Sequence, residues 1–134
     1  MLASRGTSAL GAGFGTQEDN AKVEAAAVRL VITLYKQDGW VVESVERDRC
    51  GFDLRCRKGN DSRDVEVKGI SGSEVAFTVT HGEVNQARTN PRFVICIVTS
   101  VLSERPDVTR YAGRKFLANF LLDPIQYRAH LRRR

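Results

Sequence analysis

The sequence predicts an α/β domain built on a mixed central sheet flanked by helices. Three observations predict it. A long stretch from about residue 18 to residue 37 carries apolar side chains at helical spacing. Two arms of alternating character, 51–57 and 63–70, are joined by a polar turn containing Gly59-Asn60, a hairpin signal. A β-prone apolar run, Phe93-Val94-Ile95-Cys96-Ile97-Val98, follows a short helical segment and reads as a strand buried on both faces.

Residues 1–17 are rich in Gly, Ala and Ser and lack acidic groups, which suits a flexible lead-in to a domain spanning 18–134. A transit peptide is the sharper reading, but a single Arg and several glycines speak against it. The first helix has Asp19 or Asn20 available as a cap and Gly39 to stop it. Its stripe of Val23, Ala27, Leu30, Val31 and Leu34 should be buried. Glu24 sits on the flank of that stripe. It is either a first-turn acid favourable to the helix dipole or a group reaching a site from beneath the sheet.

Trp40–Glu46 reads as the first strand, followed by a charged turn at Arg47-Asp48-Arg49. The two hairpin arms are the second and third strands. After a bend at 69–73, Val75, Phe77 and Val79 alternate with smaller residues as a fourth strand. Thr80-His81-Gly82-Glu83 has capping-box spacing and opens a short helix that ends by Asn90-Pro91. The 93–98 strand then implies a crossover and a mixed sheet. Residues 103–107 form a loop, and 108–122 a short strand and a helical turn. Asp123-Pro124 supplies a cap and a first-turn proline for a terminal helix to Arg134.

The hairpin carries the chemistry. With Gly59-Asn60 as the loop, Lys58 pairs with Asp61, and counting back sets Asp53 opposite Glu66. Directly opposed residues share a face, with Cβ atoms roughly 5 Å apart. Lys68, two residues beyond Glu66, shares it too. Phe52, Leu54, Cys56, Val65 and Val67 make the apolar face. Two adjacent carboxylates repel unless a proton or cation lies between them. Mg²⁺ commonly takes one or two carboxylates and leaves its other positions to water or phosphate oxygens. A lysine beside it can orient a water or neutralise charge building on a phosphoryl group. The competing reading is a solvated charged face in which Arg55 and Asp64 make an ordinary cross-strand ion pair.

Composition bounds the function. The 134 residues suit one domain, and 42% hydrophobic with 28% charged residues is ordinary for a soluble globular chain. No apolar run approaches membrane-spanning length, so no membrane partner is expected. A net charge of +5 favours a polyanionic partner. Basic residues are spread over Arg47, Arg49, Arg55, Arg57, Lys58, Arg128 and Arg132–Arg134, so salt-sensitive, sequence-indifferent binding is expected. Three cysteines without a CxxC pair exclude zinc spacing and read as reduced and mostly buried, hence an intracellular, cytoplasmic chain. His81 and His130 are isolated and form no ligand pattern.

Gly51-Phe52-Asp53, twelve residues, then Glu66-Val67-Lys68 resembles the motif of the PD-(D/E)XK nuclease superfamily in spacing and strand placement. The element order resembles its restriction-endonuclease-like αβββαβ core. Val23-Glu24, Ala27-Val28, Gly51–Leu54, Val65–Gly69, Phe77–Thr80 before Glu83, and Asp123-Pro124 are similar to the NO VEIN C-terminal domain family, itself similar to Mrr-like restriction nucleases. The likeness spans about 20–125, and His81-Gly82 stand where an Asn beside Glu83 would be expected.

The resemblance implies a Mg²⁺-dependent DNA endonuclease of a restriction or defence system, with Mn²⁺ able to substitute. Asp53 and Glu66 would be metal ligands, the Val67 carbonyl would complete the shell, and Lys68 would orient the water. Glu24 would be the acid on the first helix. It also implies a larger parent protein, a helicase-like partner or a homodimer. The rival reading is a non-catalytic nucleic-acid-binding or protein-interaction module that keeps the fold.

Overall fold

The computed structural model describes residues 17–48 and 50–133. Residues 1–16 of the expected lead-in, with Arg49 and Arg134, lie outside the described residues. Helix α1 spans Gln17–Gln37. The strands are β1 Val41–Ser44, β2 Leu54–Lys58, β3 Asp61–Gly69, β4 Phe93–Thr99 and β5 Asp107–Ala112. Helix α2, His81–Thr89, lies between β3 and β4, and α3, Gly113–Asn119, follows β5. The five strands form one sheet in the order β1-β2-β3-β4-β5. Only β3 and β4 run parallel; the other three pairs are antiparallel. Parallel neighbours need a crossover, and α2 supplies it. The sequence α1-β1-β2-β3-α2-β4 is the expected restriction-endonuclease-like core, extended by β5 and α3.

The central strands β3 and β4 are buried on both faces, while the edge strands β1 and β5 are largely exposed. Under α1, the row Val23, Ala27, Val31 and Tyr35 packs on Leu54, Cys56, Val65, Val67, Cys96 and Val98. The row advances by four residues, the spacing at which side chains stack on one helix face. Tyr35 joins it in place of the expected Leu34, which is half-buried on the flank. On the opposite face, α2 and α3 cover Phe93, Ile95 and Ile97 of β4, with Val45, Phe52, Ala87 and Phe116 completing a second core. Phe77, Phe116, Phe120 and Tyr111 form a ring cluster there, with centroids 5.0–6.1 Å apart. Cys56 and Cys96 are buried as expected, and burial pushes both thiols up to about 11.

Several expectations need correction. The fourth strand at 75–79 does not form: both edges of β3, the strand that this segment follows, are occupied by β2 and β4. Phe77 and Val79 still turn into the second core, while Val75 is 49% exposed. The terminal helix from Pro124 is absent; residues 120–133 have no regular structure. Leu121, Ile125, Tyr127 and Leu131 are exposed there, and a helix of about eleven residues with no face to bury is marginal. Helix α1 starts at Gln17, so Asp19 and Asn20 lie in its first turn and do not cap it. Strand β1 stops at Ser44, and a 3₁₀ turn follows at Glu46–Asp48. The hairpin register is as counted from Lys58↔Asp61 to Leu54↔Val65, but β2 begins only at Leu54. The chain bends at Asp53, and this sends Phe52 into the second core rather than under α1 with Leu54.

Candidate functional site

The C-terminal half of β3 ends in a cavity of about 320 Å³ whose lining includes Glu24, Asp53, Glu66, Val67, Lys68 and Glu83. Every site residue expected from the sequence is thus brought to one place. Two glycines make this possible. A Cβ on Gly69 would stand 2.8 Å from the Ala27 Cβ and 3.0 Å from the Val23 carbonyl oxygen, so only glycine lets α1 lie this close to the end of β3. That approach carries Glu24, exposed on α1, to the cavity rim. Gly51 holds φ at 92°, and a Cβ there would meet the Gln86 side chain at 2.8 Å. The turn leading to Asp53 is thereby pressed onto α2, where Gln86 Nε2 donates to the Cys50 carbonyl at 3.1 Å.

Asp53 reaches the site by a route other than the one counted from the hairpin. Its N–H donates to the Val65 carbonyl at 2.8 Å, and its Oδ2 accepts from the Val67 N–H at 2.9 Å. The carboxylate therefore stands where a regular β2 would present a backbone carbonyl. Asp53 is not the ladder partner of Glu66; the bend offsets the two, and both still line the cavity. Glu66, 4% exposed, projects from β3 on the face covered by α2. Lys68 lies between two acids, with Nζ 3.1 Å from Glu66 Oε2 and 2.9 Å from Glu83 Oε1.

Glu83, expected as a helix cap and as part of the family resemblance but not as a site residue, also lines the cavity. The capping box is present: Thr80 Oγ1 accepts from the Glu83 N–H at 3.1 Å, and Glu83 Oε1 accepts from the Thr80 N–H at 3.0 Å. The same Oε1 also takes the Lys68 ammonium. Thr-x-x-Glu was the signal for the cap. Nothing in that spacing revealed the Lys68 contact, which the β3-α2-β4 crossover creates.

The expected Arg55–Asp64 pair forms as well, at 3.8 Å. Asp64, 3% exposed, also faces Arg92 at 3.5 Å and accepts from Asn90 Nδ2 at 2.9 Å. This neighbouring group ties β2, β3 and the end of α2 together and is a structural fastening.

The electrostatics single out the first group. Burial holds the Asp53 carboxyl above its usual range despite the Val67 hydrogen bond, and Glu46 and Glu83 add to the rise. Burial pushes Glu66 up to about 9; Lys68 opposes this, and the Asp53 and Glu83 charges reinforce it. Glu83 is lower than usual, because its bond from Lys68, the ammonium charge and the Thr80 N–H outweigh burial. Burial works against the Lys68 ammonium, but Glu66 and Glu83 together hold its pKa above the ordinary value. Three carboxylates thus share one cation. Burial, with the Asp53 and Glu83 charges beside it, favours the protonated form of Glu66.

These residues fit a hard divalent cation. The donors are all oxygens, and a cation between Asp53 and Glu66 relieves the strain that raises both. Among the described residues no group of three or more His, Cys, Asp or Glu side chains is arranged to hold a metal by itself. The Val67 carbonyl, water or a bound phosphate would have to complete the shell.

The fold is a mixed sheet in a restriction-endonuclease-like core, and Asp53, Glu66 and Lys68 line one cavity in it. The family model described as "Protein NO VEIN, C-terminal" matches residues 23–111, and the chain belongs to that family. The matched span contains all the cavity residues named above. No curated protein matches the chain significantly, and no solved structure does. Among the described residues no helix is long and apolar enough to cross a membrane.

Proposed function

We propose that this domain is a PD-(D/E)XK-type, Mg²⁺-dependent endonuclease that hydrolyses phosphodiester bonds of DNA, with Mn²⁺ able to substitute, as a module of a restriction or defence system. The observation that carries this reading is the convergence of Asp53, Glu66, Val67 and Lys68 on one cavity with surplus negative charge. Asp53 and Glu66 would hold the cation, with the Val67 carbonyl beside them. When bound, the cation supplies charge neutralisation at the phosphoryl oxygens and an acidified water. Lys68, only 17% exposed at its side chain, keeps its ammonium where it can steer a water and oppose charge building on the phosphoryl group. Glu24, on the rim, is a second acid able to bind a water near the substrate.

Cation binding must displace the Glu66 proton, so affinity should rise with pH toward about 9. The test is cleavage of plasmid DNA with Mg²⁺ or Mn²⁺ against an EDTA control, alongside calorimetry with Mn²⁺. Asp53→Asn is the informative variant. Its amide oxygen can still accept from the Val67 N–H, whereas Asp53→Ala would strand that donor at a cost of about 1–3 kcal/mol. Loss of Mn²⁺ binding and of cleavage in a folded Asp53→Asn protein is expected. Unchanged binding refutes the ligand assignment, and a parent that binds DNA but never cleaves it favours the non-catalytic module.

A further inference from the structure

We propose that Glu83 is a positioning residue: it shares the Lys68 ammonium with Glu66, so that Glu66 does not hold that ammonium alone and can release it to a cation. This rests on the cation-site reading of Asp53 and Glu66 given above. A lysine ammonium is a point charge on a flexible stem with three donors, so it settles wherever acceptors are fixed. Glu66 Oε2 at 3.1 Å is one acceptor and Glu83 Oε1 at 2.9 Å is the other. Without Glu83, the ammonium would collapse onto Glu66 and compete with a cation for the same oxygens.

Glu83 is itself well anchored. Its Oε1 accepts from the Thr80 N–H, its own N–H donates to Thr80 Oγ1, and α2 is seated on the second core through Ala87. The clamp also reaches the cavity wall. Ile70, Ser71 and Ala76–Thr78 line the cavity just before Thr80, so one carboxylate oxygen bonds both the end of that segment and the lysine. A capping box needs only a Glu or Gln at this position, whereas a strong bond to an ammonium needs the charge. Glu83→Gln therefore separates the two roles, leaving the cap in place and weakening the clamp.

The experiment uses the full chain in two states. In the metal-free protein, the ¹⁵N–¹H signal of the Lys68 ammonium, assigned by its absence in Lys68→Met, should be visible in the parent and clearly shifted in Glu83→Gln, with the thermal midpoint kept. With Mn²⁺, calorimetry should show affinity weakened about tenfold by Glu83→Gln in the parent background, a coupling of the size neighbouring groups display. In the Lys68→Met background the same change should have less than about a twofold effect, since the competitor is gone. An unchanged ammonium signal in Glu83→Gln overturns the proposal. So does an equal loss of affinity in both backgrounds, which would mean that Glu83 acts without Lys68. A parent that binds no Mn²⁺ refutes the cation site, and with it the consequence claimed for Glu66; the ammonium signal still decides separately whether Glu83 holds Lys68.

Discussion

The two faces of strand β3 differ sharply in chemistry. Toward α1 it shows Val65 and Val67, packed among Leu54, Cys56, Cys96 and Val98 in a dry apolar layer. Toward α2 it shows Asp64, Glu66 and Lys68, beside the Phe93, Ile95 and Ile97 row of β4. Both faces are buried, so the contrast is not one of inside against outside. The α1 face supplies stability, and its surplus allows the α2 face to hold ionisable groups in a desolvated setting. Burial is what turns an ordinary Glu-x-Lys into a pair with perturbed protonation.

Breaking the α1 face should produce the largest loss of stability. Leu54 is fully buried between α1 and the sheet, and Leu54→Ala should lower unfolding free energy by about 2–5 kcal/mol in denaturant titrations. A loss under 1 kcal/mol would mean that this layer is not the main core. Lys68→Ala takes the ammonium away from the buried Glu66 and Glu83 and should cost stability as well; measured where the variant is still folded, it should reduce cleavage about a hundredfold or more, the size expected for a well-placed charge-stabilising donor. DNA affinity, measured on the same duplex, should change far less, because one phosphate contact among many is dispensable for binding. Equal losses in rate and affinity would make Lys68 one more basic residue.

Gly69→Ala probes the seam between the faces. The added methyl would meet Ala27 and the Val23 carbonyl, so α1 must shift, at about 1–3 kcal/mol. Glu24 would move with it, and cleavage should fall beyond what the stability loss explains; full activity would remove Glu24 from the site.

The smallest effect is a gain. In EDTA, folded Glu66 keeps its proton up to about 9, while the unfolded chain releases it near the ordinary value of 4.5. The folded state therefore binds the extra proton between those limits, and stability should fall as pH rises through that window. Glu66→Gln should flatten this slope and raise stability at pH 8 by about 1–2 kcal/mol, in line with relief of a buried charge. A slope that persists in the variant would assign it to another group.

Much of this was legible in the residues alone. Helix α1, the hairpin register from Lys58 to Leu54, the α2 capping box and the doubly buried β4 all follow from local signals: apolar period, turn residues and cap spacing. Glu66 and Lys68 were legible because a strand has a period of two; the register count that set Asp53 opposite Glu66 stops at Leu54, and the bend at Asp53 brings its carboxylate to the cavity instead. The errors share a cause. The alternating 75–79 segment had the pattern of a strand and no partner, and the segment after Pro124 had the start signals of a helix and no surface to cover.

By itself, then, the sequence determined helix α1, the hairpin, the α2 cap and strand β4, since those depend on neighbours a few residues away. The tertiary structure alone decided three things. It left β3 without a free edge, it bent the chain at Asp53 so that a carboxylate replaces a backbone acceptor for Val67, and it carried Glu83 across the crossover onto Lys68. Each depends on contacts between residues distant along the chain, and no local pattern encodes which of two segments reaches the shared edge or charge first.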